Sequence, residues 1–176
     1  AKAARGEVQA DLVFRGGNVI NVFTGEILRT SVAVKDGTIV GVGDGYVGAQ
    51  EIDLTGKYLC PGFIDAHLHL ESTMVTPAEL VERAVKCGTT TYIADPHEAA
   101  NVSGAAGIDY ILDETEDVPA NVYVMMPSCV PALPFEDNGC TFDAAEMKKY
   151  QNNPRILGLG EVMDYVSPVN ADPAMT

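Results

Sequence analysis

Cys60-Pro61-Gly62-Phe63-Ile64-Asp65-Ala66-His67-Leu68-His69-Leu70-Glu71-Ser72 is an apolar strand pattern that runs straight into a His-x-His pair. Side chains alternate across a strand, so His67 and His69 share one face while Leu68 and Leu70 share the other. Two imidazoles one pleat repeat apart can reach a single metal centre. The chain has only three histidines, and two of them stand here, at the C-terminal end of a strand. That is the end at which α/β barrels carry their chemistry.

A second buried-strand pattern lies downstream, Arg155-Ile156-Leu157-Gly158-Leu159-Gly160-Glu161-Val162-Met163, opened by the turn Asn152-Asn153-Pro154 and closed by a carboxylate. Glu161 follows His69 by 92 residues (161 − 69). At roughly 30 residues per strand-helix unit that spacing is three units, so Glu161 ends strand four if the histidine pair ends strand one.

The stretch between the two patterns alternates in the same rhythm. Strand one is expected over 58–70. Thr76-Pro77-Ala78-Glu79 then reads as a capping box, with Pro77 at the first helical position. The helix it opens carries Leu80, Ala84 and Val85 on one side and stops at Gly88. A β-branched strand over 89–94 leads into Asp95-Pro96-His97-Glu98, expected as a loop. A helix over 107–116, a third strand over 121–126 and the proline-stiffened loop Pro127-Ser128-Cys129-Val130-Pro131 follow. Asp143 caps a further helix with Glu146 at its third position, and strand four closes the series. Such alternation implies parallel strands joined by right-handed crossovers. Four units are half of an eight-unit barrel, which takes about 250 residues in all. The reading is therefore α/β, the front half of a (β/α)8 barrel over 57–176 within a larger enzyme, with an open four-stranded sheet as the alternative.

Ahead of this region the pattern differs. Residues 1–10 read as a tail. Over 11–56, short strands are separated by glycine turns, among them Gly16-Gly17 and the hairpin signal Asp36-Gly37, and a small antiparallel β domain is expected. The formal charge of −14 argues against nucleic acid or an anionic membrane surface as partner. No apolar run approaches the ~18 residues of a membrane span, and no secretory pattern opens the chain. Cys60, Cys87, Cys129 and Cys140 are scattered without Cys-x-x-Cys spacing, which points to a reducing cytoplasm rather than a disulfide framework.

Taken together, these segments resemble the amidohydrolase superfamily, metal-dependent hydrolases on a distorted (β/α)8 barrel with an attached β-sandwich. Pro61-Gly62-Phe63-Ile64-Asp65-Ala66-His67-Leu68-His69 is similar to the strand-one signature of that superfamily. Four segments are more specific: Ala66-His67-Leu68-His69-Leu70-Glu71-Ser72, Asp95-Pro96-His97-Glu98 with Asn101-Val102, Pro127-Ser128-Cys129-Val130-Pro131, and Gly158-Leu159-Gly160-Glu161-Val162-Met163. In this order they resemble the adenine deaminases of bacteria and archaea, over essentially all of 11–176.

The resemblance implies hydrolysis of adenine to hypoxanthine and ammonia at a binuclear divalent metal centre, with iron(II) or manganese(II) favoured and zinc(II) possible. His67 and His69 would bind the more buried metal and Glu161 would bridge the two. Glu71 would contact a purine nitrogen or move a proton. His97, Glu98 and Ser128 would line the substrate site, His97 alternatively serving an auxiliary metal. The resemblance also implies 11–56 as part of the β-sandwich and a homo-oligomer for the whole enzyme. Two histidines from strands five and six and an aspartate from strand eight would lie beyond Thr176, so this stretch alone is expected to be inactive. The alternatives are a dihydroorotase-like enzyme or an N-acetyl-sugar deacetylase of the same superfamily, against which the strand-two and strand-three segments argue, and a non-catalytic scaffold.

Overall fold

Proline has no N–H for a sheet ladder, and Pro61 marks the boundary between two compact units, Ala1–Pro61 and the unit that begins at Gly62. The computed structural model describes residues 1–133 and 135–172.

In the first unit β1 (Ala10–Ile20) is flanked by β2 (Ile27–Lys35), which runs antiparallel to it, and β4 (Gly48–Asp53), which runs parallel. β3 (Thr38–Val42) pairs with β2 across the expected Asp36-Gly37 turn, where both residues take positive φ, 50° and 69°. Four sequence expectations are corrected here. The sheet is mixed rather than antiparallel. Gly16-Gly17 does not turn the chain, because Phe14 and Gly17 pair with Val32 and Thr30 of the same partner strand; the extra residue is absorbed as a bulge. β5 (Tyr58–Leu59) pairs with Asn18 and Val19 in this sheet and is not the start of the histidine strand. Residues 1–9 are turns rather than a loose tail: Ala3 is buried, and Tyr46 donates its hydroxyl to the Ala4 carbonyl at 2.8 Å. Ala10, Val13 and Ala33 form the small core, with Val40 and Tyr46 against it.

The second unit holds a four-stranded parallel sheet in the order β6 (Phe63–Leu68), β7 (Thr89–Ala94), β8 (Asn121–Met126) and β9 (Ile156–Leu159). Its first helix, α1 (Pro77–Ala84), is capped by the Thr76 hydroxyl, which accepts from the Glu79 N–H at 3.5 Å. Val81 rather than Leu80 or Ala84 is the fully buried residue of that helix. After β7 come α2 (His97–Ser103) and α3 (Ala105–Glu114), so the segment expected as a loop at His97 and Glu98 is a helix N-terminus instead. α4 (Ala144–Met147) begins at Asp143, whose carboxylate accepts from the Ala145 and Glu146 N–H groups, and α5 (Val166–Val169) follows β9.

Apolar residues at alternate positions of β7 and β8 (Tyr92, Ala94, Val122, Val124, Met126) meet Val81, Ala100, Ile108, Ile111 and Leu112 of the helices in one buried cluster. Each fully buried aliphatic side chain contributes about 1.5–3 kcal/mol. Arg155 ties strand to helix from below, donating to the carbonyls of Val122 (3.0 Å) and Leu112 (2.7 Å) and to the Thr115 hydroxyl. The packed helices hold the C-terminal ends of all four strands at fixed positions, and the polar residues of interest stand there.

Candidate metal centre

β6 ends at Leu68, one residue before the second histidine, and its pairing with β7 skips a step between Asp65 and Leu68. Even so, His67 and His69 stay on one side, their rings 4.9 Å apart edge to face. Glu161, two residues past β9, comes to meet them: His67 Nε2 is 4.0 Å from its Oε2 and His69 Nε2 is 3.7 Å from its Oε1. The ligand atoms of these three residues all lie within 4.8 Å of one another. The set is oxygen and imidazole nitrogen without thiolate, suited to a divalent metal such as iron, manganese or zinc.

His69 also carries the tautomer such a role needs. Its Nδ1 faces the Asp95 carbonyl at 2.6 Å, a contact that requires a proton on Nδ1 and leaves the Nε2 lone pair turned toward Glu161. Burial lowers the pKa of this ring, but the Asp95 carbonyl and the carboxylates of Glu98, Glu71 and Asp95 outweigh it and hold the pKa above the ordinary histidine value.

Asp95 was not singled out by the sequence, yet it organises the site. It is the last residue before Pro96, its side chain only 1% exposed. Oδ2 accepts from the Glu161 N–H at 2.8 Å, and Oδ1 lies 3.3 Å from His97 Nδ1. Ser128 adds a second hold on the same strand end, its hydroxyl donating to the Glu161 carbonyl at 2.7 Å. The available signal was an acidic residue directly at the end of a buried strand, where an unpaired carboxylate is costly. Residue 160 must be small: a Cβ on Gly160 would meet Asp95 Oδ2 at 2.3 Å. Gly160→Ala is therefore expected to push Asp95 away from Glu161 and to lower metal content and turnover about 10- to 100-fold. Elemental analysis and kinetics on the intact protein check this, and unchanged values would show that the Asp95 bond is dispensable.

Glu71 and Glu98 lie on the flank. The strand does not continue to Glu71, as a cavity-facing position would require; the chain turns into a single 3-10 turn, Glu71–Thr73. There Glu71 Oε1 accepts from the Ala99 N–H at 3.2 Å, while Oε2 is buried with no well-aligned partner. Burial foremost, and then the adjacent Glu98, raises its pKa. Glu98 goes the other way: burial alone would raise it, but the Glu71 carboxyl and the Ser72 hydroxyl, donating at 2.9 Å, bring it below the usual glutamate value. Glu98 Oε2 reaches to 3.2 Å from His69 Nδ1. His97, the first residue of α2, packs its ring 4.5 Å from that of His69. All seven residues expected at the site thus gather at one end of the sheet, Ser128 through the Glu161 backbone.

The Amidohydrolase family pattern matches residues 58–171. The chain belongs to the amidohydrolase family. Among curated relatives of this amidohydrolase, adenine deaminase of Desulfitobacterium hafniense is 61% identical over 170 residues, 97% of this chain and 30% of that protein. Adenine deaminase of Geobacillus kaustophilus is 49% identical over 173 residues, 98% of this chain and 30% of that one. The chain thus spans under a third of the length of these relatives. Among solved structures, atrazine chlorohydrolase from Arthrobacter aurescens, complexed with zinc, superposes with a TM-score of 0.62 at 15% identity, covering 84% of this chain and 46% of that one. N-acyl-D-glutamate deacylase from Bordetella bronchiseptica, complexed with zinc and a phosphonate inhibitor, gives 0.56 at 22% identity, covering 80% and 34%. The four parallel strands of this amidohydrolase and their helices are the front half of a (β/α)8 barrel.

Proposed function

We propose that the intact protein hydrolyses adenine to hypoxanthine and ammonia. The carrying observation is the convergence of His67, His69 and Glu161 at one strand-end face, in a chain up to 61% identical to named adenine deaminases. In this reading His67 and His69 would hold one divalent metal and the Glu161 carboxylate would be shared by two. A bound metal pair supplies an acidified water near neutral pH and polarises the reacting centre. Iron(II) or manganese(II) is the proposed pair, zinc(II) being the alternative suited by the same donors.

The chain's own groups do the rest. Asp95 and Ser128 fix the Glu161 backbone from two sides, so the carboxylate is aimed before substrate arrives. Glu71, held on the flank by the Ala99 N–H, is proposed to contact a purine nitrogen or to move a proton from there. Glu98, half-exposed beside His69 and His97, is the proposed acceptor for a ring N–H of the purine, with His97 and Ser128 as further proposed substrate contacts. The first-unit sheet is proposed as part of the accompanying β-sandwich. A cytoplasmic setting is proposed from the four scattered cysteines, all of them unpaired; among the described residues no helix is long and apolar enough to cross a membrane. A homo-oligomer is carried over from the resemblance alone.

The test is ammonia release from adenine by the intact protein after chelation and reloading with Mn²⁺, alongside dihydroorotate and N-acetylglucosamine 6-phosphate. Turnover of adenine alone supports the reading. Turnover of either other substrate in its place, or of none with metal bound, overturns it.

A further inference from the structure

Asn101 and Val102 stand out in the sequence, yet neither takes part in the metal centre. They hold the connection between β8 and α4 instead. That connection covers residues 127–143, where strand-to-helix links of this kind usually take about two to six. Its later part lies on α2. The Asn101 carbonyl accepts from the N–H groups of Gly139 (2.9 Å) and Cys140 (3.2 Å), and Asn101 Nδ2 donates to the Asp137 carbonyl at 3.2 Å. A Cβ on residue 139 would fall well inside van der Waals contact with the Val102 carbonyl. Gly139 does not take a positive φ, so it serves close approach to α2 and not a turn.

This packing requirement puts a glycine directly after an exposed asparagine, and Asn138-Gly139 is the one Asn-Gly pair in the chain. Such a pair is chemically labile, because no side chain on the second residue crowds ring closure. The Gly139 amide nitrogen attacks Asn138 Cγ. An N–Cγ bond forms, the Cγ–Nδ2 bond breaks, and the carboxamide nitrogen leaves as ammonia with the Gly139 amide proton. Water then opens either carbonyl of the resulting succinimide, giving aspartate or isoaspartate; it is the only co-reactant. In the docked loop both reacting groups are engaged. The Gly139 N–H is given to Asn101, and Asn138 Nδ2 donates to the Cys140 carbonyl at 2.6 Å. Ring closure needs both bonds broken, and so needs the segment lifted from α2.

We propose that Asn138 is a deamidation site gated by the docking of residues 137–140 on α2. Isoaspartate adds a main-chain methylene between residues 138 and 139. Aspartate sets a carboxylate oxygen against the Cys140 carbonyl where an N–H stood. Each adds a negative charge beside Glu136 and Asp137, and neither restores every bond of the docked loop. The inference is independent of the metal centre and of the identity of the substrate.

The experiment incubates the intact protein in mildly alkaline buffer beside a free peptide of residues 135–142, and follows Asn138 by peptide mapping with isoaspartate-resolving mass spectrometry. The native protein should convert about tenfold or more slowly than the peptide, the protection expected from two hydrogen bonds. Protein unfolded in denaturant should match the peptide. Asn101→Ala removes the bond to Asp137 but keeps the backbone acceptor, and its lost Oδ1 has no partner, so conversion should speed up several-fold. In the wild-type protein, amide hydrogen exchange at Gly139 should be slowed by the same factor as conversion, a comparison that needs no variant. Native conversion as fast as that of the peptide, or conversion that does not follow Gly139 exchange, overturns the gating. No product at Asn138 in the unfolded protein overturns the site itself.

Discussion

Glu161→Gln in the intact protein is expected to lose about one metal per subunit and on the order of 10³-fold or more in turnover. The carboxylate stands between His67 and His69 on one side and His97 on the other, and both its oxygens face imidazole nitrogens. An amide of the same shape keeps one weaker oxygen, presents an N–H₂ where the second was, and removes the negative charge that lets two cations sit close together. The backbone holds from Asp95 and Ser128 are untouched by the change, so folding should be preserved. Glu98→Gln is the matched comparison. That side chain is half-exposed and held mainly by Ser72, so its loss should appear in KM, about tenfold, with metal content unchanged. Elemental analysis beside steady-state kinetics on adenine separates the two. Two metals and near-normal turnover in Glu161→Gln would make Glu161 an ordinary strand-end carboxylate.

What could be read from the sequence follows from how local each signal is. His67 and His69 were legible because a period of two is a property of the strand itself, and Glu161 because regular strand-helix units convert separation in sequence into position in a sheet. The Thr76 and Asp143 caps were legible for the same reason, since each acts on N–H groups two or three residues away. Asp95 was not, because its partner is the N–H of a residue 66 positions on, and no local pattern encodes that bond. Tyr58 and Leu59 were misplaced because a short apolar run fits either neighbouring sheet; only the interruption at Pro61 decides it. His97 and Glu98 were expected in a loop because Asp-Pro suggests a turn, whereas the helix starts directly after the proline. Glu71 falls one residue beyond the expected strand, and no residue near it announces the 3-10 turn.

Asp95 also yields the second large effect. Asp95→Ala removes the acceptor of the Glu161 N–H and the carboxylate beside His97 together, but leaves the backbone carbonyl that sets the His69 tautomer. A buried N–H without a partner is costly, so the strand end should shift to find one and carry the Glu161 carboxylate with it. Groups that orient metal ligands typically cost 10- to 100-fold in metal affinity or activity, and the upper end, about 100-fold in turnover, is expected here because the bond holds the shared ligand. Asp95→Asn separates position from charge. Its amide oxygen can still accept from the Glu161 N–H, so metal binding at His67, His69 and Glu161 should be retained, while the negative charge beside His97 is lost. The expected pattern is therefore graded: Asn keeps its metal and part of the turnover, and Ala loses most of both. Measured by elemental analysis and kinetics, equal damage from the two variants would mean that the charge of Asp95 matters and its bond to Glu161 does not. Full activity in Asp95→Ala would mean that Ser128 and the β9 strand end alone hold Glu161 in place.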